Sequence, residues 1–256
     1  MNKFGNLFKP LTWFMALLLA GLVAGCGGDD DAAPAPSTAG AVCTGTAADC
    51  VPLATAGDFV ILAETAISSV APSAITGNVG LEAGASITGL TCPEVSVGRV
   101  INSDAGFADA SCVTQDGPGL TLAETDRGLA FGDAATRPGG VAPAPGPIPP
   151  GVYDLASITI ATDVTLDGPA SGVWIIQTPG NLSLTGGNVL LSGGALPQNV
   201  FWRVGGNVAI GAGRQLPGIV MADGTIDLGG NAVVNGRLYS MTDVTLTAGT
   251  NTVTRP

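Results

Sequence analysis

The five-residue string Thr-Asp-Val-Thr-Leu occurs at positions 162–166 and again, unchanged, at positions 242–246. Between the two copies, Gly-Gly-Asn begins at Gly186, Gly205 and Gly229, at intervals of 19 and 24 residues. A period near 20 residues, built from short β-branched runs between Gly and Asn corners, is typical of a coiled β-solenoid. Each coil of such a fold adds one short strand to each flat face. We therefore expect function to lie on a face and not in a pocket.

One helix interrupts the pattern of short strands. Thr121 and Glu124 form a capping box, Ala/Leu-rich sequence follows to Ala135, and Pro138 with Gly139 would end the helix. The spacing predicts an apolar side, a charged side facing water, and two glycines that would allow close approach to a sheet. The apolar side consists of Leu122, Leu129, Ala130 and Ala134, and the charged side consists of Glu124, Asp126, Arg127 and Asp133. The two glycines are Gly128 and Gly132.

The first 25 residues have the pattern of an export signal. Two lysines precede a 13-residue apolar run at 11–23, which is too short to remain as a membrane-spanning helix. The following Val-Ala-Gly-Cys resembles a bacterial lipobox, which predicts cleavage and acylation at Cys26. A plain secretory signal with a chance cysteine is the alternative. Gly27 after the cysteine resembles the sorting signal for the outer membrane, so we expect an exported protein anchored in the cell envelope.

Composition divides the rest of the chain into a tether and a domain. Residues 26–52, with their Asp run and Pro/Ala/Ser/Thr stretch, predict a flexible tether, and residues 53–256 predict one domain. Neither segment contains His or Lys, and seven Arg against 20 acids give a net charge of 7 − 20 = −13. Such a chain repels nucleic acid, and it lacks the groups for His-based zinc sites, Ser-His-Asp triads and P-loops. No cofactor or metal is expected.

Four cysteines remain beyond Cys26, and an even number in an exported chain favours disulfides over metal or redox sites. Three pairings are possible. Short sequence separation favours Cys43–Cys50 and Cys92–Cys112.

Five segments now become recognisable: Ser73–Gly80, Thr121–Pro138, Pro150–Tyr153, Asn199–Gly205 and Val234–Arg237. In this order, over roughly Leu53 to the C terminus, they resemble the microbial ice-binding (antifreeze) protein family. The resemblance implies a mainly β fold, a discontinuous right-handed β-solenoid of triangular section with one long α-helix along its side. It also implies that N-terminal and C-terminal coils interlock, so that the coils do not follow chain order.

Members of that family adsorb to ice through one flat face, often with Thr-(Ala/Gly)-x-(Thr/Asn) in successive coils. Two segments of this chain match the pattern, a third keeps only its Asn, and a fourth carries Arg214, whose long charged side chain departs from it. The resemblance therefore implies ice-contacting residues at Thr185, Asn188, Asn231, Thr247 and Thr250.

The sequence leaves three functions open. The leading hypothesis is a lipid-anchored, monomeric ice-binding protein whose partner is the ice surface and which inhibits ice growth or recrystallisation. The alternative is an adhesin or matrix-binding lipoprotein on the same fold. An enzyme that cleaves polysaccharide would need clustered carboxylates, and we expect no enzyme. Trp174 and Trp202 are predicted to be core residues. The acids available to an enzyme are Asp163, Asp167, Asp223, Asp227 and Asp243.

Overall fold

Three-residue strands with an aliphatic–small–aliphatic pattern are the basic unit of this fold. In Ile158–Ile160 and Leu182–Leu184 the two outer side chains are buried and the middle one points away from the core, as the two-residue period of a strand requires. The structure is a computed structural model that describes Cys43 and residues 49–82, 85–102, 110–140 and 145–256. All of these residues belong to one compact unit, Ser37–Pro256.

The described elements are one α-helix, short 3₁₀ turns and strands numbered in chain order. The helix is α1 (Gly117–Thr136). The strands are β1 (Phe59–Ala63), β2 (Ala66–Ser69), β3 (Ser73–Thr76), β4 (Asn78–Leu81), β5 (Ser86–Thr88), β6 (Val95–Ser96), β7 (Val100–Asn102), β8 (Val113–Gln115), β9 (Gly151–Asp154), β10 (Ile158–Ile160), β11 (Val164–Asp167), β12 (Trp174–Thr178), β13 (Leu182–Leu184), β14 (Val189–Ser192), β15 (Val200–Val204), β16 (Val208–Ile210), β17 (Gln215–Ala222), β18 (Ile226–Leu228), β19 (Val233–Ser240), β20 (Asp243–Leu246) and β21 (Asn251–Thr254).

The strands pair in parallel and build three faces. The open face is the seven-stranded sheet β10-β13-β16-β18-β20-β2-β5. The helix face is the run β9-β12-β15-β17-β19-β1-β4-β7-β8, and the third face contains β11, β14, β21, β3, β6 and the first halves of β17 and β19. A typical coil therefore contributes one strand to each face, as β12, β13 and β14 do.

Strands β17 and β19 pass from the third face to the helix face without a loop. Gly218 adopts a φ of +113°, and a Cβ on Gly236 would lie 1.7 Å from the Gly218 carbonyl oxygen. Glycine at both positions is what lets these two strands bend together.

The stacking order does not follow the chain. The last coil, β19–β20–β21, pairs in parallel with the first described coil, β1–β2–β3, on all three faces. Residues near the two ends of the domain are thus hydrogen-bonded neighbours, and the stack continues from β2 to β5. The mainly β solenoid with interlocked coils and one flanking helix, predicted from the sequence, is confirmed.

The interior of the coils is aliphatic with two tryptophans. Trp174 and Trp202 are 0 % and 2 % exposed, which confirms the prediction that they are core residues. Each indole N–H donates to a backbone carbonyl, Ile148 and Pro217 respectively, at 3.0 and 2.9 Å. Their polar edges are therefore satisfied inside the core, as burial of tryptophan requires.

Helix α1 covers the helix face with a different stripe from the predicted one. Leu120, Ala123, Arg127, Ala130 and Ala134 are buried. Four of the predicted orientations were wrong: two leucines are exposed, by 59 % and 66 %, whereas Arg127 is 5 % exposed and the Glu124 side chain is 10 % exposed instead of facing water. Small alanines bring the helix axis close to the aromatic and aliphatic side chains of the sheet. The exposed leucines are Leu122 and Leu129, whereas Ala130 and Ala134 face the sheet as predicted.

The two glycines of the helix also lie on the side away from the sheet. A Cβ on Gly128 or Gly132 would meet nothing within 4 Å. The prediction that they permit close approach to a sheet was therefore wrong.

The start of α1 differs from the capping-box prediction as well. The helix begins at Gly117, capped by Asp116, whose Oδ1 accepts the Gly119 backbone N–H at 2.9 Å. Thr121 lies one turn inside the helix, where its hydroxyl donates to the Gly117 carbonyl. The sequence Asp-Gly-Pro provides both an acceptor for free N–H groups and a proline suited to a first turn, and it extends the helix backwards.

Disulfides join Cys43 to Cys50 and Cys92 to Cys112, the pairs with the shortest separations. The predicted signal 1–25, the predicted lipidation site Cys26 and most of the predicted tether 26–52 lie outside the described residues. Two residues of Ala83–Ser86, a segment similar to the Thr-(Ala/Gly)-x-(Thr/Asn) pattern, also lie outside them. None of the helices in the described part of the chain is long and apolar enough to cross a membrane.

The helix start can be tested by comparing two alanine substitutions. Asp116→Ala removes the acceptor for the Gly119 N–H and is expected to lower the free energy of unfolding by about 1 kcal/mol. Thr121→Ala should change it by less than about 0.5 kcal/mol. Urea denaturation followed by circular dichroism measures both. The reverse order of effects would place the cap at Thr121.

Candidate functional site: the open face

A row of small side chains runs across the middle of the open face. Because β10, β13, β16, β18, β20, β2 and β5 pair without a register shift, their central residues lie side by side. Strand neighbours in a sheet lie about 4.7–4.9 Å apart, so the row has a regular spacing. Its members, in stacking order, are Thr159, Ser183, Ala209, Asp227, Thr245, Ser68 and Thr88.

Two further rows flank the central one, because residues two positions before and two positions after each central residue point the same way. The second row ends at Val70, since the equivalent Leu90 is buried. The first holds Ser157, Asn181, Asn207, Thr225, Asp243, Ala66 and Ser86, and the second holds Ala161, Thr185, Gly211, Gly229, Thr247 and Val70.

The three rows carry almost no charge. They contain no Arg, Lys or aromatic side chain, and their acids are Asp227 and Asp243. Both acids have hydroxyl partners: Asp243 accepts from Thr65, and Asp227 accepts from Thr225 at 3.4 Å. A surface of short hydroxyl, amide and methyl groups offers neither a basic patch for polyanions nor an aromatic strip for sugar rings.

Asparagines at the edge next to the helix face connect one coil to the next. The Asn181 side-chain oxygen accepts the Asn207 backbone N–H at 2.8 Å, and the Asn207 oxygen accepts the Thr225 N–H at 3.0 Å. These bonds fix the vertical spacing of the coils along this edge of the open face.

The residues implied by the family resemblance lie together at the opposite edge, where the open face meets the third face. Thr185 and Thr247 belong to the second flanking row, and both are exposed. Asn231 and Thr250 are exposed at the same corners, and Asn188 is half-buried. The structure therefore brings all five to one corner of the stack, and their contact with ice stays a prediction.

Three of the five have side-chain hydrogen bonds that explain their presence structurally, and in one of them the Thr247 hydroxyl donates to the Leu228 carbonyl of the adjacent coil at 2.8 Å. The Asn188 side-chain oxygen accepts the Gln215 N–H at 3.0 Å, and its amide group donates to Asp163. The Asn231 oxygen accepts the Thr250 N–H at 3.1 Å. These side chains join successive coils, as Asn181 and Asn207 do at the other edge.

Arg214 does not project from the surface. It is half-buried and bends across the corner, where Nη1 donates to the Gly186 carbonyl at 2.6 Å and Nε donates to Ala212 at 3.2 Å. Its charge thus lies beside the second flanking row and outside the rows themselves.

The sequence did not identify the role of the twelve uncharged residues in the central and first flanking rows. The usable signal was the short residue between two aliphatic residues in β10, β13, β16, β18 and β20. The acids considered for an enzyme do not converge. Asp163 bonds to Asn188 and Asp167 to Ser192. Asp223, Asp227 and Asp243 lie at separate corners and rows, and among the described residues no group of three acids includes any of the five.

A family profile described as Ice-binding-like matches residues 61–254. The chain belongs to this family. The match covers all seven coils that build the open face.

Curated relatives extend nearly along the whole chain. An ice-binding protein of Flavobacterium frigoris (strain PS1) is 35 % identical over 272 aligned residues, covering 94 % of this chain and 96 % of the relative. An ice-binding protein of Colwellia sp is 38 % identical over 222 residues, covering 80 % and 84 %.

Solved structures agree with this fold. An ice-binding protein from an Arctic yeast superposes with a TM-score of 0.69 at 29 % identity, covering 80 % of this chain and 95 % of the yeast protein. A domain of ice-binding protein 1 from Shewanella frigidimarina gives 0.70 at 28 % identity, covering 80 % and 97 %.

The coil-to-coil role of Asn188 predicts a stability effect. Asn188→Ala removes the acceptor for the Gln215 N–H and the donor to Asp163, so we expect the free energy of unfolding to fall by about 1–2 kcal/mol. Its neighbour Thr185 is exposed, and Thr185→Ala should cost less than about 0.5 kcal/mol. Chemical denaturation of both variants tests this, and equal effects would contradict a structural role specific to Asn188.

Proposed function

We propose that this protein binds ice through the open face and thereby inhibits ice growth or recrystallisation. The observation that carries the proposal is the in-register array of three rows of short, nearly uncharged side chains across seven coils. Membership of the ice-binding-like family and the names of the relatives support it.

The array suits a crystalline partner because its spacing is repetitive in two directions. The strands repeat about every 4.7–4.9 Å along the stack, and alternate residues of an extended strand repeat about every 6.6–6.8 Å across it. Hydroxyls and methyls on such a grid can hold ordered water that then merges with a crystal. Charged or long side chains would hydrate strongly and disturb that order.

Rigidity strengthens such binding. Side chains on paired strands, with asparagine bonds along both edges, are ordered before contact, which avoids an entropic cost at adsorption. The central residues Thr, Ser and Ala have few rotamers to lose. An adsorbed protein would also block the ice front locally, so that growth between bound molecules requires a curved, less stable surface.

The position of the protein in the cell completes the proposal. Acylation at Cys26 and a tether over residues 26–52 would hold the solenoid at the envelope, in the outer membrane by the Gly27 signal. A monomer would suffice, because the open face lies within one chain.

Ice-affinity partitioning of two matched tyrosine variants tests the face. Ala209→Tyr places a large ring in the central row, and Ala74→Tyr places the same ring on exposed strand β3 of the third face. We expect the wild type and Ala74→Tyr to enter the ice fraction, while Ala209→Tyr stays in the liquid, because the ring holds the rows away from the crystal.

The outcomes separate the hypotheses. Equal partitioning of both variants would show that the central row is not the ice-binding surface. A Thr247→Tyr variant would then test whether ice binds at the corner that carries the Thr-(Ala/Gly)-x-(Thr/Asn) pattern. A wild type that remains in the liquid would overturn ice binding and favour the adhesin. Circular dichroism of each variant checks that the fold is retained.

The anchor is tested separately by detergent phase partitioning in a bacterium that processes lipoproteins. The acylated wild type should enter the detergent phase, whereas Cys26→Ala, which lacks the acceptor thiol, should remain aqueous. Mass spectrometry of the N-terminal peptide identifies the lipid. An aqueous wild type would show a plain secretory signal instead.

A further inference from the structure

Three glutamates from separate elements converge at the edge where α1 meets the N-terminal coils. Glu64 follows β1, Glu82 follows β4, and Glu124 lies in α1. One carboxylate oxygen of each lies within 4.8 Å of the other two. Ala63 and Leu81 are strand partners, so Glu64 and Glu82 occupy equivalent positions in adjacent coils. The convergence therefore arises from coil stacking and from the docking of the helix.

The local charge is not balanced. Arg127 is the cation of the cluster, and its Nη2 lies 2.9 Å from Glu64 Oε2 and 3.0 Å from Glu124 Oε2. Its other terminal nitrogen donates to the Ser240 carbonyl. One positive charge against three carboxylates leaves a net −2 when all are ionised. Like charges placed directly opposite each other on neighbouring strands are unfavourable.

Glu124 supplies a second, independent observation. Its side chain is only 10 % exposed, and while Oε2 bonds to Arg127, the buried Oε1 has no hydrogen-bond partner among the described residues. Burial raises the pKa of Glu124 to about 7, Arg127 opposes that rise, and Glu82 and Glu64 add to it. A buried carboxylate oxygen without a partner is costly unless something else satisfies it.

We propose that Glu64, Glu82 and Glu124 bind a divalent cation, Ca²⁺, which clamps α1 to the N-terminal coils. No metal was expected from the sequence, because residues 26–256 contain no His and the even number of cysteines favoured disulfides. The inference does not depend on ice binding, since it concerns the edge of the helix face.

The ligand chemistry selects calcium among common cations. The site offers oxygens only, and the four described cysteines are in disulfides. The three carboxylate oxygens lie within 4.8 Å of one another but come from three separate elements, an arrangement that suits the flexible coordination of Ca²⁺ better than the near-ideal octahedron that Mg²⁺ demands. Exposed Glu82 leaves room for water to complete the six to eight ligands that Ca²⁺ takes.

Thermal unfolding of the full-length protein tests this. The protein is stripped with EDTA, dialysed, and unfolded with CaCl₂, MgCl₂ or NaCl at matched ionic strength. With a Kd of about 10⁻⁴–10⁻³ M, as in extracellular calcium modules, about 10 mM Ca²⁺ should raise the Tm by roughly 3–10 °C. Isothermal titration calorimetry with CaCl₂ measures the binding itself.

Three variants make the test specific. Glu82→Gln changes an exposed residue and Glu124→Gln keeps an acceptor for Arg127, so both should fold but lose most of the calcium shift. Asp223→Asn, which removes one exposed acid at a corner between the same two faces, should keep it. A wild-type shift matched by NaCl, an equal shift with MgCl₂, or an undiminished shift in both glutamine variants would overturn the proposal.

Discussion

In-register parallel pairing between coils is the constraint on which the rest of the structure depends. Five strands of the open face, β10, β13, β16, β18 and β20, each bury two aliphatic side chains and direct the residue between them outwards. A slip of one residue would move those aliphatics into water and the small residue into the core. The register is therefore set by burial, and the same burial aligns the outward residues into rows. Flatness and order of the surface follow from core packing in the coils beneath it.

The interlocked order of the coils extends this constraint across the chain. Because β20 pairs with β2, the open face is continuous from β10 to β5 although its strands come from both ends of the domain. Helix α1 covers the helix face and leaves the open face uncovered. Its buried Arg127 donates to the Ser240 carbonyl in the last coil and to Glu64 in the first described coil. One side chain thus links the helix to both sides of the junction between the coils.

The sequence predicted the architecture better than the surface. The 20-residue period, the Gly/Asn corners and the family segments were sufficient for the solenoid, because each reflects a local backbone requirement. The orientation of α1 was wrong because leucine was assumed to face the sheet, whereas alanine at Ala123 and Ala130 allows a closer approach. Glu64 and Glu82 are 82 − 64 = 18 residues apart, close to one coil, but Glu124 becomes their neighbour only because α1 docks against these coils. No spacing along the chain reveals where the helix docks.

The pattern Thr-(Ala/Gly)-x-(Thr/Asn) combines two physical roles at one corner. Its first residue, Thr185 or Thr247, is exposed at the end of the second flanking row. Its fourth residue, when it is Asn, points its side-chain oxygen at the backbone N–H of the next coil, as Asn188 does for Gln215. Leu228-Gly229-Gly230-Asn231 lacks the threonine but retains this bond, through Asn231 to Thr250. The asparagine is thus explained by coil spacing alone, and its presence in a coil says nothing about contact with a partner. Evidence for binding has to come from the central row, because Asn181, Asn207 and Thr247 in the flanking rows also bond to the backbone of a neighbouring coil.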